Sequence, residues 1–162
     1  MNTIIIQGSA RSDGDTNRKV RTIMDMTGWD RVDLNEYQIS AYDYEHRNRD
    51  DDFLPLMRRL TENYEVFVFA TPVYWYAMSG TLKTFFDRFT DLLTIEKDLG
   101  RTLRGKGMAV LSCSNGGNLG DDFWIPFREI ADYLGMHYLS HVHTYQKTEE
   151  PEKLKAFVAR IQ

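Results

Sequence analysis

The feature that most constrains the fold of this chain is a regular alternation of short apolar runs with amphipathic helical stripes. Three of the runs, Thr3–Gln7, 65–70 and 107–113, are dominated by apolar residues, as strands covered on both faces are. Two further strands of more mixed polarity are predicted at 31–34 and 137–145. A helical pattern follows each run, so the chain consists of repeated strand–helix units.

The helical stripes are recognised by apolar residues that recur every three or four positions. They are Val20, Ile23 and Met24; Phe53, Leu56, Met57 and Leu60; Leu82, Phe85, Phe86 and Phe89; Phe123, Phe127, Ile130, Ala131 and Leu134; and Leu154, Phe157, Val158 and Ile161. Strands joined by helical crossovers predict an α/β fold, with helices on both faces of a parallel sheet. For 162 residues the expected arrangement is a single domain, 1–162, with five parallel strands in the order 2-1-3-4-5.

Charge, cysteine content and hydropathy exclude several classes of function. The net charge of -4 and the absence of a Lys/Arg run argue against nucleic acid or an anionic membrane as a partner. Cys113 is the only cysteine, which excludes an internal disulfide and a multi-cysteine metal or iron–sulfur site within one chain. No apolar stretch reaches the length of a signal-peptide core or a membrane span, so we expect a soluble, cytoplasmic protein.

The position of the ligand follows from the predicted sheet. In open parallel sheets, ligands bind beyond the carboxyl ends of the strands, where the strand order reverses. The loops after strands one, three and four meet at that place, and their sequences are GSARSDGDTN (8–17), TPVYWYAMSG (71–80) and SNGGNLGDD (114–122). We therefore expect one ligand to contact all three loops.

The first loop has the composition of a phosphate site. It places the hydroxyls of Ser9 and Thr16, the Arg11 guanidinium and the Asn17 amide just before a helix, whose N-terminal N–H groups and partial positive charge attract anions. A simple turn with Asp15 as helix cap is the alternative, and for Asp15 itself we favour it. The sequence contains neither G-x-G-x-x-G after the first strand nor G-x-x-x-x-G-K-[ST], so a dinucleotide or triphosphate fingerprint is absent.

The second and third loops suit the rest of a planar ligand. Tyr74, Trp75 and Tyr76 could stack on a heteroaromatic ring, or they could pack under a loop or across a subunit interface. The glycines of the third loop allow the backbone to approach a ligand closely. Cys113 is expected to be a packing residue and not a nucleophile. For the histidines of the fifth strand, solvation or hydrogen bonding is favoured over a metal pair.

Together, these loops resemble those of a known family. The first is similar to the G-S-x-R-x-x-G-x-T loop of the flavodoxin-like NAD(P)H-dependent FMN reductases, and residues 71–88 resemble their P-V-Y-W-x-x-M-S-G-x-x-K-x-F-x-D-R segment. The resemblance implies a flavodoxin-like three-layer sandwich with bound FMN. Residues 39–52 lack the cysteine motif of related iron–sulfur flavoproteins, and Asp15 stands where the family often has a neutral residue.

The resemblance also implies particular site residues. The phosphate contacts fall on Ser9, Arg11, Thr16 and, nearby, Asn17; the ring-side contacts fall on Pro72, Val73, Tyr74 and Trp75; the third-loop contacts fall on Ser112, Ser114, Asn115, Gly116 and Gly117. Lys83, Asp87 and Arg88 look like helix-surface or interface positions outside the site. No catalytic acid or base and no metal ligand is implied.

The implied function is a two-step exchange. NAD(P)H, as co-substrate, reduces the bound FMN and leaves, and a small electron acceptor then takes its place; a quinone, azo or nitro compound, metal ion or free flavin would each suit. A second subunit is expected to complete the site, which makes a homo-oligomer the expected assembly. An electron-carrier flavodoxin with protein partners and a non-redox module for a phosphorylated ligand are the alternatives. The irregular segment 35–50 is expected to be functional or mobile.

Overall fold

The computed structural model describes residues 1–162, which form an α/β fold around one main sheet. Its parallel strands are β1 (Thr3–Gln7), β2 (Asp30–Asp33), β3 (Val66–Tyr74), β5 (Gly107–Ser114) and β6 (His137–Tyr145). Their spatial order is β2-β1-β3-β5-β6, and Ile6 lies between Val32 and Phe69 in the register. Once the short strand β4 (Ala77–Met78) is set aside, this is the predicted 2-1-3-4-5 order, which is thereby confirmed.

The sheet has one strand that the sequence did not predict. β3 continues four residues beyond Ala70, and β4 pairs antiparallel with its end, so that Tyr74 faces Ala77 in the register. The tip residues Trp75 and Tyr76 have φ angles of 49° and 63°, the left-handed values that two-residue hairpins require. Such turns are usually recognised by Asn or Gly, and neither is present here, which is why the sequence pattern missed the hairpin.

The helices lie on both faces of the sheet, as expected. They are α1 (Asp15–Thr27), α2 (Phe53–Asn63), α3 (Gly80–Asp87), α4 (Asp91–Thr94), α5 (Lys97–Arg101), α6 (Ile125–Leu134) and α7 (Pro151–Val158), with 3-10 turns at Leu34–Glu36, Arg88–Thr90 and Asp121–Trp124. One apolar core joins the sheet to α2, α3 and α6, and the other joins it to α1 and α7. None of these helices is both long and apolar enough to span a bilayer.

The placement of Arg88 at a helix surface was wrong. Its side chain is fully buried, and its guanidinium binds the Asp51 and Asp91 carboxylates and the carbonyl oxygens of Ser40 and Asn48. It also lies 4.9 Å from the centre of the Phe53 ring. Arg88 therefore fastens the irregular segment between β2 and α2 to the end of α3. One of the two carboxylates, that of Asp51, lies 37 positions away in the sequence, so the periodicity of α3 alone could not show it.

Candidate functional site

The loops after β1, β3 and β5 meet in one cleft at the carboxyl edge of the sheet. The cleft encloses about 290 Å³ and also touches the start of the β6–α7 connection. Its lining residues are Ser9, Arg11, Gly14, Asp15, Thr16, Pro72, Val73, Tyr74, Cys113, Ser114, Asn115 and Gln146. The convergence expected from the sheet topology is therefore present in the structure.

One end of the cleft is the N-terminus of α1, which is open to an anion. Gly14 caps the helix without a side-chain hydrogen bond, and the first backbone bond of the helix is donated by Arg18 to the Gly14 carbonyl at 3.2 Å. The N–H groups of the preceding residues therefore have no acceptor within the helix. Ser9 and Thr16 are buried beside them, and the Arg11 guanidinium lies against Gly14. Hydroxyls, free N–H groups and one guanidinium together form a donor set suited to a phosphate.

Asp15 lies at the same helix end, but its charge has a partner. Its carboxylate forms an ion pair with Arg18. Arg18 in turn donates to the carbonyl oxygen of Gln146 at 3.0 Å. The repulsion that a free carboxylate would exert on a nearby phosphate is thereby reduced.

The first loop is held in place by α3. The Ser79 hydroxyl donates to the Gly8 carbonyl at 2.6 Å and accepts the Leu82 N–H at 3.1 Å, so one side chain caps α3 and fixes the loop. A Cβ atom at Gly8 would lie 2.7 Å from the Leu82 Cβ, closer than packed carbon atoms approach. From the other side, Asn35 donates to the Ser9 carbonyl at 2.7 Å. Sequence reasoning had not singled out Asn35 because it belongs to the connection after β2.

Three side chains of the second loop form one wall of the cleft, namely Pro72, Val73 and Tyr74. The next residue, Trp75, does not line it: its side chain is 96% exposed at the tip of the hairpin. Tyr76 is exposed as well and accepts a hydrogen bond from Asn118 at 3.4 Å. The aromatic cluster is thus divided between one residue in the cleft and two at an exposed tip, held at left-handed φ values that bulky residues rarely adopt.

The third loop contributes Ser114 and Asn115 to the cleft, whereas Ser112, Gly116 and Gly117 lie outside its lining. The Ser112 side chain is fully buried and hydrogen-bonded to His143. A Cβ atom at Gly117 would overlap the Tyr145 hydroxyl, so the glycine is needed for packing against β6. Ser112 and Gly117 therefore contact β6, on the side of the loop that does not line the cleft.

Asn17 was predicted near the phosphate, but it does not line the cleft. It is buried, and its side-chain oxygen accepts a hydrogen bond from Arg31 of β2 at 2.8 Å.

Gln146 lines the cleft although it was not predicted from the sequence. It follows β6, and its N–H donates to the Ser114 carbonyl at 2.9 Å. β6 is parallel to the other strands, so the residue after it lies at the same edge of the sheet as the three loops. The predicted strand order could therefore have indicated Gln146.

Cys113 lies at the floor of the cleft and is 3% exposed. Burial raises the pKa of its thiol above the usual value, although a hydrogen bond with Thr144 acts in the opposite direction. A raised thiol pKa disfavours the nucleophilic thiolate. This environment is that of a packing residue.

The α1 end distinguishes this cleft from larger cavities. A cavity of about 340 Å³ lies between the 34–39 segment and α3, but the α3 N-terminus beside it is already capped by Ser79. An apolar groove of about 390 Å³ between the α3–α4 region and α6 lies among helices. Neither joins an uncapped helix N-terminus to several strand ends.

Comparison with known proteins identifies the family of the chain. The family model described as NADPH-dependent FMN reductase matches residues 1–150. The chain belongs to this family. A Bacillus subtilis relative, YwqN, whose name describes an NAD(P)H-dependent FMN-containing oxidoreductase, is 32% identical over 99 residues. That match covers 57% of this chain and 54% of YwqN, so the chain spans about half the length of this curated relative.

Solved structures confirm the flavodoxin-like fold of this family member. The Trp repressor binding protein of Bacillus subtilis superposes with a TM-score of 0.75 at 21% identity, over 99% of both chains. General stress protein 14 of Treponema denticola, solved in complex with FMN, has a TM-score of 0.70 at 16% identity and covers 100% of both chains. An FMN-dependent NADH-azoreductase of Bacillus anthracis has a TM-score of 0.66 at 12% identity, over 99% of this chain and 96% of its own.

Proposed function

We propose that residues 1–162 form a single FMN-binding domain that oxidises NAD(P)H and passes the electrons to a small acceptor. The observation that carries this proposal is the cleft itself, in which an uncapped helix N-terminus and the ends of neighbouring parallel strands meet. Membership of the NADPH-dependent FMN reductase family indicates the cofactor and the electron donor.

The residues of the cleft fit the phosphate of FMN. Ser9, Arg11 and Thr16, with the free N–H groups at the start of α1, would hold the phosphate. No carboxylate in this part of the cleft lacks a cation, because Asp15 is paired with Arg18. The site needs no metal ion to balance the phosphate charge, since a guanidinium and a helix dipole are already present.

The opposite wall fits a flat ring system. Pro72, Val73 and Tyr74 offer apolar and aromatic surface, and Ser114 and Asn115 offer polar groups on the other side. Trp75, which follows Tyr74 at the hairpin tip, would lie beside the ring. Ser112, Gly116 and Gly117 support the third loop, and Asn17 supports the first.

When bound, FMN supplies the two-electron redox chemistry that joins NAD(P)H to an acceptor. The protein's own contribution is binding and orientation. The helix N-terminus holds one end of the cofactor, and the walls from β3 and β5 set the plane of the other. No side chain in the cleft needs to act as acid or base, because Cys113 is kept in its thiol form and the hydroxyls serve as donors.

We infer that the acceptor is a small oxidised molecule of the quinone, azo, nitro, metal-ion or free-flavin type. The exposed aromatic tip at Trp75 and Tyr76 lies beside the cleft, which supports a site completed by a second copy of the chain. A homo-oligomer acting in the cytoplasm is the assembly we propose.

The test is a titration of the purified, flavin-free protein with FMN and with riboflavin, which lacks the phosphate. Thr16→Val removes a hydroxyl from the phosphate end and should weaken FMN binding about tenfold, the effect of one hydrogen bond to a charged group, while riboflavin binding stays unchanged. Thr22→Val is the matched control. It lies on the same helix, and its hydroxyl bonds the Arg18 carbonyl at 3.1 Å.

The loaded protein is then mixed with NADPH or NADH without oxygen. Bleaching of the flavin absorption band is the expected result. A protein that binds FMN but is not bleached by either nucleotide would be an electron carrier, and one that binds no flavin would refute the cofactor site as well.

A further inference from the structure

His143, on β6, makes hydrogen bonds only with the third loop and the strand that leads into it. Its Nδ1 atom lies 2.8 Å from the Ser112 hydroxyl oxygen. Its Nε2 atom lies 3.0 Å from the Gly116 carbonyl oxygen and 3.2 Å from the Ser114 hydroxyl oxygen. The imidazole therefore bridges the end of β5 and the glycine pair that follows it.

These contacts determine where the ring carries its proton. A carbonyl oxygen only accepts hydrogen bonds, so Nε2 must be the donor to Gly116. In the neutral ring Nδ1 is then an acceptor, and it receives the Ser112 hydroxyl proton. Ser114 reinforces the arrangement, because its hydroxyl donates to the Gly116 carbonyl at 2.9 Å and accepts the Gly116 N–H at 3.3 Å.

The bond to Gly116 fixes the direction of a peptide group. The chain has no cis peptide bonds, and in a trans peptide the carbonyl and the following N–H point in opposite directions. With the Gly116 carbonyl turned toward His143, the Gly117 N–H points away from it and has no backbone acceptor. Tyr145 closes off the space beneath Gly117, so this turn cannot relax toward β6.

We propose that His143 is a positioning residue for the flavin ring: by holding the Gly116 carbonyl it fixes the turn of the third loop, so that Ser114 and Asn115 keep their places in the wall of the cleft. This inference rests on the proposed FMN site and deepens it, because it assigns to β6 a role in ring binding that none of the cleft-lining side chains performs. The residue acts through the loop and does not touch the flavin.

The first experiment is independent of flavin. In the ligand-free, ¹⁵N-labelled protein, long-range ¹H–¹⁵N correlations of the imidazole should show a proton on Nε2 and none on Nδ1. His143→Phe should shift the Gly116 and Gly117 amide resonances. His141→Phe is the matched control, since His141 lies on the same strand but stacks on Trp124 with ring centres 4.3 Å apart.

The second experiment measures flavin binding. His143→Phe should weaken FMN and riboflavin binding by the same factor, about tenfold, because the loop acts on the ring and the phosphate end is unchanged. His143→Gln, which keeps a donor for Gly116, should recover most of that loss, and His141→Phe should bind as the wild type does.

The outcomes separate this inference from the proposed function. A proton on Nδ1, or flavin binding by His143→Phe equal to that of the wild type, would overturn the positioning role and leave the FMN site intact. If His143→Phe weakens the binding of FMN but not that of riboflavin, the substitution acts at the phosphate end, and the positioning role is overturned. A wild-type chain that binds neither flavin would overturn the proposed function and this inference with it.

Discussion

Arg88→Met tests the most heavily buried charge network of the chain. Methionine keeps much of the length and apolar volume of the arginine stem but removes the guanidinium. Two carboxylates lose their cation: Asp91, whose side chain is 1% exposed, and Asp51, whose side chain is 11% exposed. The segment between β2 and α2 also loses the hydrogen bonds that Arg88 donates to the carbonyls of Ser40 and Asn48.

The cost follows from what each carboxylate retains. Asp51 still accepts N–H bonds from Ser40 and Phe53, each at 3.0 Å. Asp91 is left with the His46 Nδ1 atom at 3.0 Å after losing the Arg88 Nε bond of 2.9 Å. Removing one partner of a buried ion pair costs about 3–5 kcal/mol, and the poorly compensated Asp91 places this change in that range. Such a loss is a large part of the stability of an ordinary domain, about 5–15 kcal/mol.

The assay is urea unfolding at pH 7, followed by circular dichroism. Lys83→Met is the matched control, because Lys83 pairs with Asp87 on the same helix while both side chains are about half exposed, 58% and 47%. An exposed pair of this kind contributes at most about 0.5 kcal/mol. Adding Asp51→Asn and Asp91→Asn to Arg88→Met removes the uncompensated charges. The triple variant should recover more than half of the free energy of unfolding that Arg88→Met loses.

The same network predicts a dependence on pH. Burial alone would raise the pKa of Asp51, but hydrogen bonds from Arg88 and from the Ser40 N–H outweigh it and lower the pKa below 3.8. A lowered pKa stabilises the folded state above the unfolded value, and this contribution is lost as the pH falls through the folded value. The difference in the free energy of unfolding between wild type and Arg88→Met should therefore become smaller below about pH 4. If the free energy of unfolding of Arg88→Met at pH 7 lies within about 1 kcal/mol of the wild-type value, Arg88 does not stabilise the fold through a buried ion pair.

Three further predictions concern the edge of the cleft. Gly8→Ala should lower the free energy of unfolding by about 1–3 kcal/mol in thermal or urea unfolding, because its Cβ would press on Leu82; an unchanged midpoint would contradict this close packing. Trp75→Gly should raise the free energy of unfolding by about 1 kcal/mol, because glycine adopts a φ of 49° without strain, and a destabilised variant would show that the exposed ring makes contacts the structure lacks. Cys113 should react with a thiol reagent at pH 8 far more slowly than it does in urea, because burial raises its pKa, and equal rates would contradict the buried thiol.

The strand order could be predicted because apolar runs and helical stripes record burial directly. Thr3–Gln7 and Gly107–Ser114 are buried almost throughout, and parallel strands of this kind require helical crossovers on both faces. Arg88 could not be placed in the same way. A charged residue on a helix is expected at the surface, and its burial depends on Asp51, 37 positions away in the sequence. Contacts at such separations leave no trace in local periodicity.

Within the candidate site, the sequence could predict the loops better than the direction of each side chain. Thr16 and the adjacent Asn17 were both predicted at the phosphate end, but Thr16 lines the cleft whereas the Asn17 side chain is bound by Arg31 from β2. Tyr74 and Trp75 diverge in the same way, because Tyr74 ends the strand while Trp75 belongs to the turn in which the chain reverses. Topology determines which loops converge, while each residue's orientation depends on neighbours that only the folded chain provides.

Ser79 shows why fold and site cannot be separated in the second motif. The M-S-G stretch looks like part of a binding loop, yet the Ser79 side chain caps α3 and holds the Gly8 carbonyl of the first loop, while its N–H bonds the Thr71 hydroxyl at 3.0 Å. One residue thus links the ends of β1 and β3 to the helix that follows. Losing the Ser79 hydroxyl would free the first loop and uncap α3 together. Residues that never touch the ligand can therefore be as specific to the site as those that do.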